Sequence, residues 1–269
     1  MRPSQAHATR VQGSGNQTYI LGHGLGGTQA HWEVVAEHLQ QRARVITFDL
    51  AGSGACDPSV YSPIRHASIL GFADDLAQIC TDLEVRGATF IGHSMSGMAG
   101  ALAAAADPGL FSKLVMVGSS ARYLDDPATG YIGGFSRVGL DEMLASIEAD
   151  FMMWSAGFAP YVMGHAERPE LANEFTQSLR QYPPDVAYTI LNAAFSSDFR
   201  SYMPLVLPPT LVLQGTDDPA VPLVAAMWLA DAIPHGELEL LDIVGHFPHV
   251  VDPESVIAAM EPFLERAPG

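Results

Sequence analysis

Short apolar runs alternate with longer stretches of helical period along most of this chain. Gln17 to Leu21 is a β-rich run ending in the turn GHGLGG, Gly22 to Gly27, and an amphipathic stretch follows from about Ala30 to Gln40. The unit then repeats. Arg44 to Leu50 (RVITFDL) is an apolar run of strand length, Gly52 and Gly54 break it, and Leu70 to Leu83 has helical spacing. Ala88 to Gly92 reads as a buried strand, Met95 to Ala106 as an Ala-rich helix, and Lys113 to Gly118 as a further buried strand. Near-continuous apolar strands alternating with helices predict a mostly parallel sheet covered on both faces.

From about Arg122 to Met203 the alternation stops, and the segment reads as several helices carrying aromatic and Met side chains. A structureless connection of that length does not fit a compact domain, so residues 122–203 are expected to form a helical lid over a core made of residues 1–121 and 204–269. Strand and helix then resume with Thr210 to Gln214, Pro222 to Ile233, Glu237 to Leu241 and Pro253 to Arg266.

Composition narrows the partners. With 30 acidic and 13 basic residues the net charge is −17, so there is no basic stripe for phosphates, and neither nucleic acid nor an anionic membrane is expected. At 269 residues a single large core needs no disulfide. Cys56 and Cys80 match no metal spacing, no leader-like apolar segment opens the chain, and no run reaches transmembrane length. A cytoplasmic protein with two inert cysteines is expected.

The sharpest chemical signal is GHSMSG, Gly92 to Gly97, placed where a strand gives way to a helix. That is the setting of a nucleophile elbow: a serine on a strained turn, with small neighbours at Gly92 and Ser96 so that strand and helix can approach. Ser96 stands where the usual motif has glycine. A serine hydroxyl needs a histidine to take its proton and a carboxylate to fix that histidine's tautomer. In this architecture the order is Ser, acid, His. GTDD, Gly215 to Asp218, follows a late strand, and VGHFPH, Val244 to His249, follows the last one. Ser94 is therefore the candidate nucleophile and His246, beside Gly245, the candidate base. His249 is read as facing the rim or packing under the final helix, and His93 as a packed elbow residue. Between Asp217 and Asp218 the residues alone leave the choice open. Backbone amides of Met95 and Leu25 are the candidate oxyanion donors. The Gly-rich loop lacks the Lys-Ser/Thr ending of a phosphate cradle, and the Ser, acid and His set weighs against reading it as a dinucleotide fingerprint.

These residues resemble the RsbQ-type branch of the α/β-hydrolases, which holds a bacterial stress-signalling hydrolase and the plant strigolactone and karrikin receptor hydrolases. The similar segments are GHGLGGTQAHW (Gly22 to Trp32), GHSMSGMAG (Gly92 to Gly100), DPGLFSKLVMVGSSARYLDD (Asp107 to Asp126), GGF (Gly133 to Phe135), WSAGFAP (Trp154 to Pro160) and GHFPH (Gly245 to His249). The resemblance implies the α/β-hydrolase fold, Asp218 as the acid, and a four-helix lid from about Leu124 to Arg200. It also implies a small apolar pocket lined by Phe135, Trp154, Phe158 and Phe195 with Leu25, although core packing inside the lid would account for any one of these aromatics. Plant members carry Phe where this chain has Leu25, which implies a wider or differently shaped pocket. The function expected is cleavage of a small apolar ester or lactone through an acyl-enzyme, with no metal or organic cofactor. The alternative is a slow hydrolase that signals through a protein partner; carbon–carbon hydrolysis or perhydrolysis by the same residues is a third outcome.

Overall fold

The computed structural model describes residues 1–266. Its strands are β1 (Arg10–Gln12), β2 (Thr18–Gly22), β3 (Arg44–Phe48), β4 (Ala88–His93), β5 (Phe111–Val117), β6 (Thr210–Asp217) and β7 (Gly236–Val244). They form one sheet in the order β1-β3-β2-β4-β5-β6-β7, parallel throughout except that β1 runs antiparallel along β3. The helices in chain order are α1 (Pro3–Ala6), α2 (Glu33–Leu39), α3 (Ile69–Asp82), α4 (Met95–Ala106), α5 (Arg137–Ala149), α6 (Phe151–Met163), α7 (Pro169–Leu179), α8 (Pro184–Phe195), α9 (Leu223–Ala232), α10 (Pro248–Val251) and α11 (Pro253–Glu265). This is the mostly parallel sheet with flanking helices that the alternation of runs predicts, and the α/β-hydrolase fold that the resemblance implies.

The differences from expectation fall at the edges. β1 has only three residues, and the two nearest its start are exposed, so no apolar run announces it. β6 and β7 extend past their apolar stretches; β7, with a single neighbour, alternates partly buried and exposed positions along its first half. The stretch expected as one helix from Ala30 begins as a 3-10 turn, Gln29–Trp32, before α2.

The centre of the sheet positions the site. All six residues of β4 are buried, and ten of the twelve residues of α4, from Met95 to Ala104, are buried as well. Such depth requires small residues at the crossing of strand and helix. A Cβ on Gly92 would stand 2.5 Å from the backbone N of Gly97 and 2.7 Å from its Cα, and one on Gly97 would stand 2.9 Å from the carbonyl oxygen of Gly92. The chain leaves β2 for β3 on one side and later resumes at β4 on the other, so strand order reverses between β2 and β4. There Gly22 pairs with Gly92, and the Gly-rich loop and the elbow leave the sheet side by side. Such a reversal, at the carboxyl ends of the strands, is where open α/β sheets bind ligands.

Between β5 and β6 the chain builds α5 to α8 in place of a strand–helix unit. Arg200 is 2.7 Å from carboxylate oxygens of both Asp126 and Asp198, and Arg122 also pairs with Asp198, so the two ends of the inserted segment are tied together.

Replacing Gly92 with Ala is expected to destabilise the protein by about 1–3 kcal/mol, because the new methyl group meets the Gly97 backbone as well as the buried Phe90 ring. Urea unfolding would measure this, and unchanged stability would contradict the close strand–helix crossing.

Candidate active site

Ser94 occupies the turn between β4 and α4 with φ +53° and ψ −120°, a left-handed conformation that costs a non-glycine residue about 1–3 kcal/mol. Its surroundings fix it there. The Ser94 amide donates to the carbonyl of Val117 at 2.7 Å, and the Ser119 hydroxyl donates to the carbonyl of Ser94 at 2.9 Å. Ser96 does more than keep a small volume: its hydroxyl donates to the carbonyl of His23 at 2.5 Å, tying the elbow to the Gly-rich loop.

His246 lies on the loop after β7. Its Nε2 is 2.9 Å from Ser94 Oγ, and its Nδ1 is 2.8 and 3.0 Å from the two carboxylate oxygens of Asp218. Asp218 sits in the turn after β6 and accepts the amides of Ala220 at 2.8 Å and Val221 at 3.1 Å on Oδ1. Asp217 is exposed and contributes through its backbone, its carbonyl accepting the Gly245 amide at 2.8 Å. Gly245 has φ +97° and lies against the backbone of Met163 at the end of α6, leaving no room for a side chain. In the same place the His246 amide donates to the carbonyl of Val162 at 2.7 Å.

Ser94, His246 and Asp218 thus form one hydrogen-bonded relay. It opens into an apolar pocket of about 400 Å³ including its mouth, whose walls carry no Asp, Glu, Lys or Arg among the described residues. Leu25 and Met95 line this pocket beside Ser94. Met95 is the first residue of α4, so its amide has no acceptor one turn back within the helix. Of the aromatic residues expected at the wall, Phe158 and Phe195 reach it. Phe135 and Trp154 stand one layer behind: Phe135 meets Phe195 edge to face at 5.0 Å between ring centres, and Trp154 stacks on Phe158 at 4.6 Å. Each is held back because another ring lies between it and the cavity. Phe175 and Phe247 complete the wall, their ring centres 4.6 Å apart.

Tyr123 was not singled out from sequence, yet its hydroxyl is 3.2 Å from Ser94 Oγ. Burial pushes that hydroxyl above the usual tyrosine range, so it stays a neutral donor. No local motif marks it, because it lies just past a strand and meets Ser94 only across the sheet edge.

Behind the relay lies a layer of buried imidazoles. His93 donates through Nε2 to the carbonyl of His246 at 2.8 Å, and its ring lies 4.5 Å from that of His249. His249 stacks on Trp32 at 4.1 Å rather than facing the rim. His23 is fully buried, with Nδ1 donating to the carbonyl of Gly24 at 2.8 Å and Nε2 accepting the Leu50 amide at 3.0 Å. Burial holds His23, His93 and His249 below the usual imidazole range, and His31 at about 4. Among the described residues, no group of three or more His, Cys, Asp or Glu could hold a metal ion, and no helix is long and apolar enough to cross a membrane.

Comparison with known proteins identifies the family. Residues 19–259 match the model of the alpha/beta hydrolase family, and the chain belongs to that family. It is 35% identical over 257 residues to karrikin insensitive 2 receptor CA of Petunia hybrida, covering 95% of this chain and 94% of that one. It is 33% identical over 264 residues to strigolactone esterase D14 of Arabidopsis thaliana, covering 98% and 96%. Among solved structures, a hydrolase from Oleispira antarctica matches with a TM-score of 0.92 at 30% identity, covering 97% of this chain and 94% of that one. The resemblance carried by the elbow and lid segments is borne out.

The imidazole layer generates a pH dependence. In the unfolded chain His23, His31, His93 and His249 each bind a proton near pH 6.5, whereas folding holds their affinity for it lower. The unfolded state therefore binds more protons across this window. Stability rises with pH there and is lost as pH falls from about 6.5 toward 4. Denaturant unfolding at a series of pH values should show that fall, and a flat curve across the window would contradict a neutral imidazole layer.

Proposed function

We propose that the protein is a serine hydrolase cleaving a small, neutral, apolar ester or lactone. The observation that carries this reading is the unbroken Ser94–His246–Asp218 relay at the mouth of an uncharged pocket. Ser94 Oγ attacks the substrate carbonyl while His246 Nε2 takes its proton, and Asp218 orients and stabilises the imidazolium. The amides of Leu25 and Met95 receive the oxyanion. Collapse of the tetrahedral intermediate breaks the bond to the alkoxy oxygen, which takes the proton from His246. Water, deprotonated by the same imidazole, then attacks the acyl-enzyme and regenerates Ser94. Tyr123, with its hydrogen at Ser94 Oγ, offers a further donor at the reacting oxygen. Residues 122–203 act as a cap that keeps bulk water from the reacting carbonyl, over a core of residues 1–121 and 204–269. The unpaired Cys56 and Cys80, their thiols pushed up to about 12 by burial, support a reducing cytoplasm as the setting.

A relative named as a receptor, karrikin insensitive 2 receptor CA, favours a second reading, a slow hydrolase whose ligand-bound form acts on a protein partner. Sustained multiple turnover of a natural ester would set that reading aside. A burst of one product per protein followed by a slow steady state would favour it.

Ser94→Ala is expected to lower hydrolysis of p-nitrophenyl acetate by at least about a thousandfold without loss of fold, and Asp218→Asn by a comparable factor. Intact-mass analysis should find an acyl or phosphonyl adduct on Ser94 in the wild type. Turnover by the Ser94→Ala protein at the wild-type rate would remove Ser94 from the mechanism. Tyr123→Phe should lower kcat by about tenfold with little change in KM, since it removes one hydrogen bond at the reacting oxygen.

A further inference from the structure

We infer that Gln214 is a positioning residue for this reaction, its carboxamide holding the Asp218 carboxylate in register with His246. The inference rests on the Ser94–His246–Asp218 reading above. Gln214 lies on β6, four positions before Asp218, with its side chain wholly buried and away from the pocket wall. Its Nε2 donates to Asp218 Oδ2 at 3.0 Å and to the carbonyl of Val221 at 3.1 Å.

The two oxygens of Asp218 are supplied unequally. Oδ1 accepts two backbone amides in addition to the His246 contact at 3.0 Å. Oδ2, the oxygen nearer the imidazole at 2.8 Å, has Gln214 as its remaining donor among the described residues. Without Gln214 the turn would still anchor one oxygen, but the other would be free to swing about it. Gln214 also closes the turn from its far end: Val221 gives its amide to Asp218 Oδ1 and its carbonyl accepts from Gln214.

The orientation of the carboxamide is forced. Turned over, its oxygen would face the Asp218 carboxylate and the carbonyl of Val221. In the orientation found, Oε1 is buried with no hydrogen-bond partner among the described residues. An unpaired buried carbonyl weakens a fold, and a methionine of similar volume would fill the same space without it. The amide is therefore poorly explained by packing and well explained by the NH2 group that it turns toward the acid.

The test uses the full-length protein with p-nitrophenyl acetate as substrate and a fluorophosphonate as label for Ser94. Gln214→Met should lower kcat and the labelling rate by about ten- to a hundredfold, the worth of one hydrogen bond to a charged group. KM should stay within about twofold, because residue 214 does not touch the pocket, and any fall in Tm should leave the protein folded at the assay temperature. In Gln214→Glu, a protonated carboxyl can still donate to Asp218 while an ionised one repels it, so activity should climb toward the acid side of the wild-type profile. Gln214→Met with wild-type kcat and labelling, or with losses that follow the unfolded fraction, would overturn the inference. Should that variant fail to fold, a Gln214→Glu profile of wild-type shape overturns it equally. If the wild type itself takes no label at Ser94, the reading of the site is at fault rather than the role of Gln214 within it.

Discussion

The hydrogen bond between the Ser94 hydroxyl and the His246 imidazole joins residues 152 positions apart, and much of the fold serves to hold its two ends. One end is a serine in a left-handed turn that no isolated peptide would keep. It persists because Val117 and Ser119 fix its backbone and because Gly92 and Gly97 let helix and strand press together beneath it. The other end is a loop after β7, whose histidine is clasped by the Asp218 turn on one side and by the last turn of α6 on the other. The sheet contributes what neither loop can, by bringing the carboxyl ends of β2, β4, β6 and β7 to one edge.

The architecture was largely legible because it rests on local patterns. A strand buried on both faces must be apolar at successive positions, and a helix beneath an elbow must be built of small residues; β4 and α4 satisfy both demands openly. Elements that failed to declare themselves are those whose stability is borrowed. β1 exists because β3 offers an unpaired edge, and the first half of β7 shows water on alternate positions as an edge strand must. In the candidate site, Ser94 and His246 were picked out by glycine neighbours with a mechanical reason to be there. The choice between Asp217 and Asp218 had no such local sign, since the two differ only in which one turns inward. Tyr123 and Gln214 were invisible for a related reason: each matters through a partner that only the folded chain brings near. Phe135 and Trp154 show the opposite error, being the right residue type in the right segment but screened from the cavity by Phe195 and Phe158.

The interior beneath the relay is unusual for an acidic chain. With thirty carboxylates in the sequence, few are buried among the described residues: Asp49, Asp75 and the side chain of Asp218 stand out. The space behind the elbow is filled instead by imidazoles that burial keeps neutral. Neutral rings bring flat surfaces for stacking, as His249 does on Trp32, and a directed donor where a carbonyl needs one, as His93 does for His246. A charged side chain in their place would bring a competing field within reach of His246.

The support of His246 by α6 has a mechanical meaning. Its amide hangs from the carbonyl of Val162, and its neighbour Gly245 fits only because the main chain of Met163 lies where a side chain would be. The inserted helices and the imidazole are therefore coupled like a latch and its bolt. An outward swing of the end of α6 would draw the His246 imidazole away from the Ser94 hydroxyl, so the corner that seats the ring is also the one where the inserted helices meet the loop after β7.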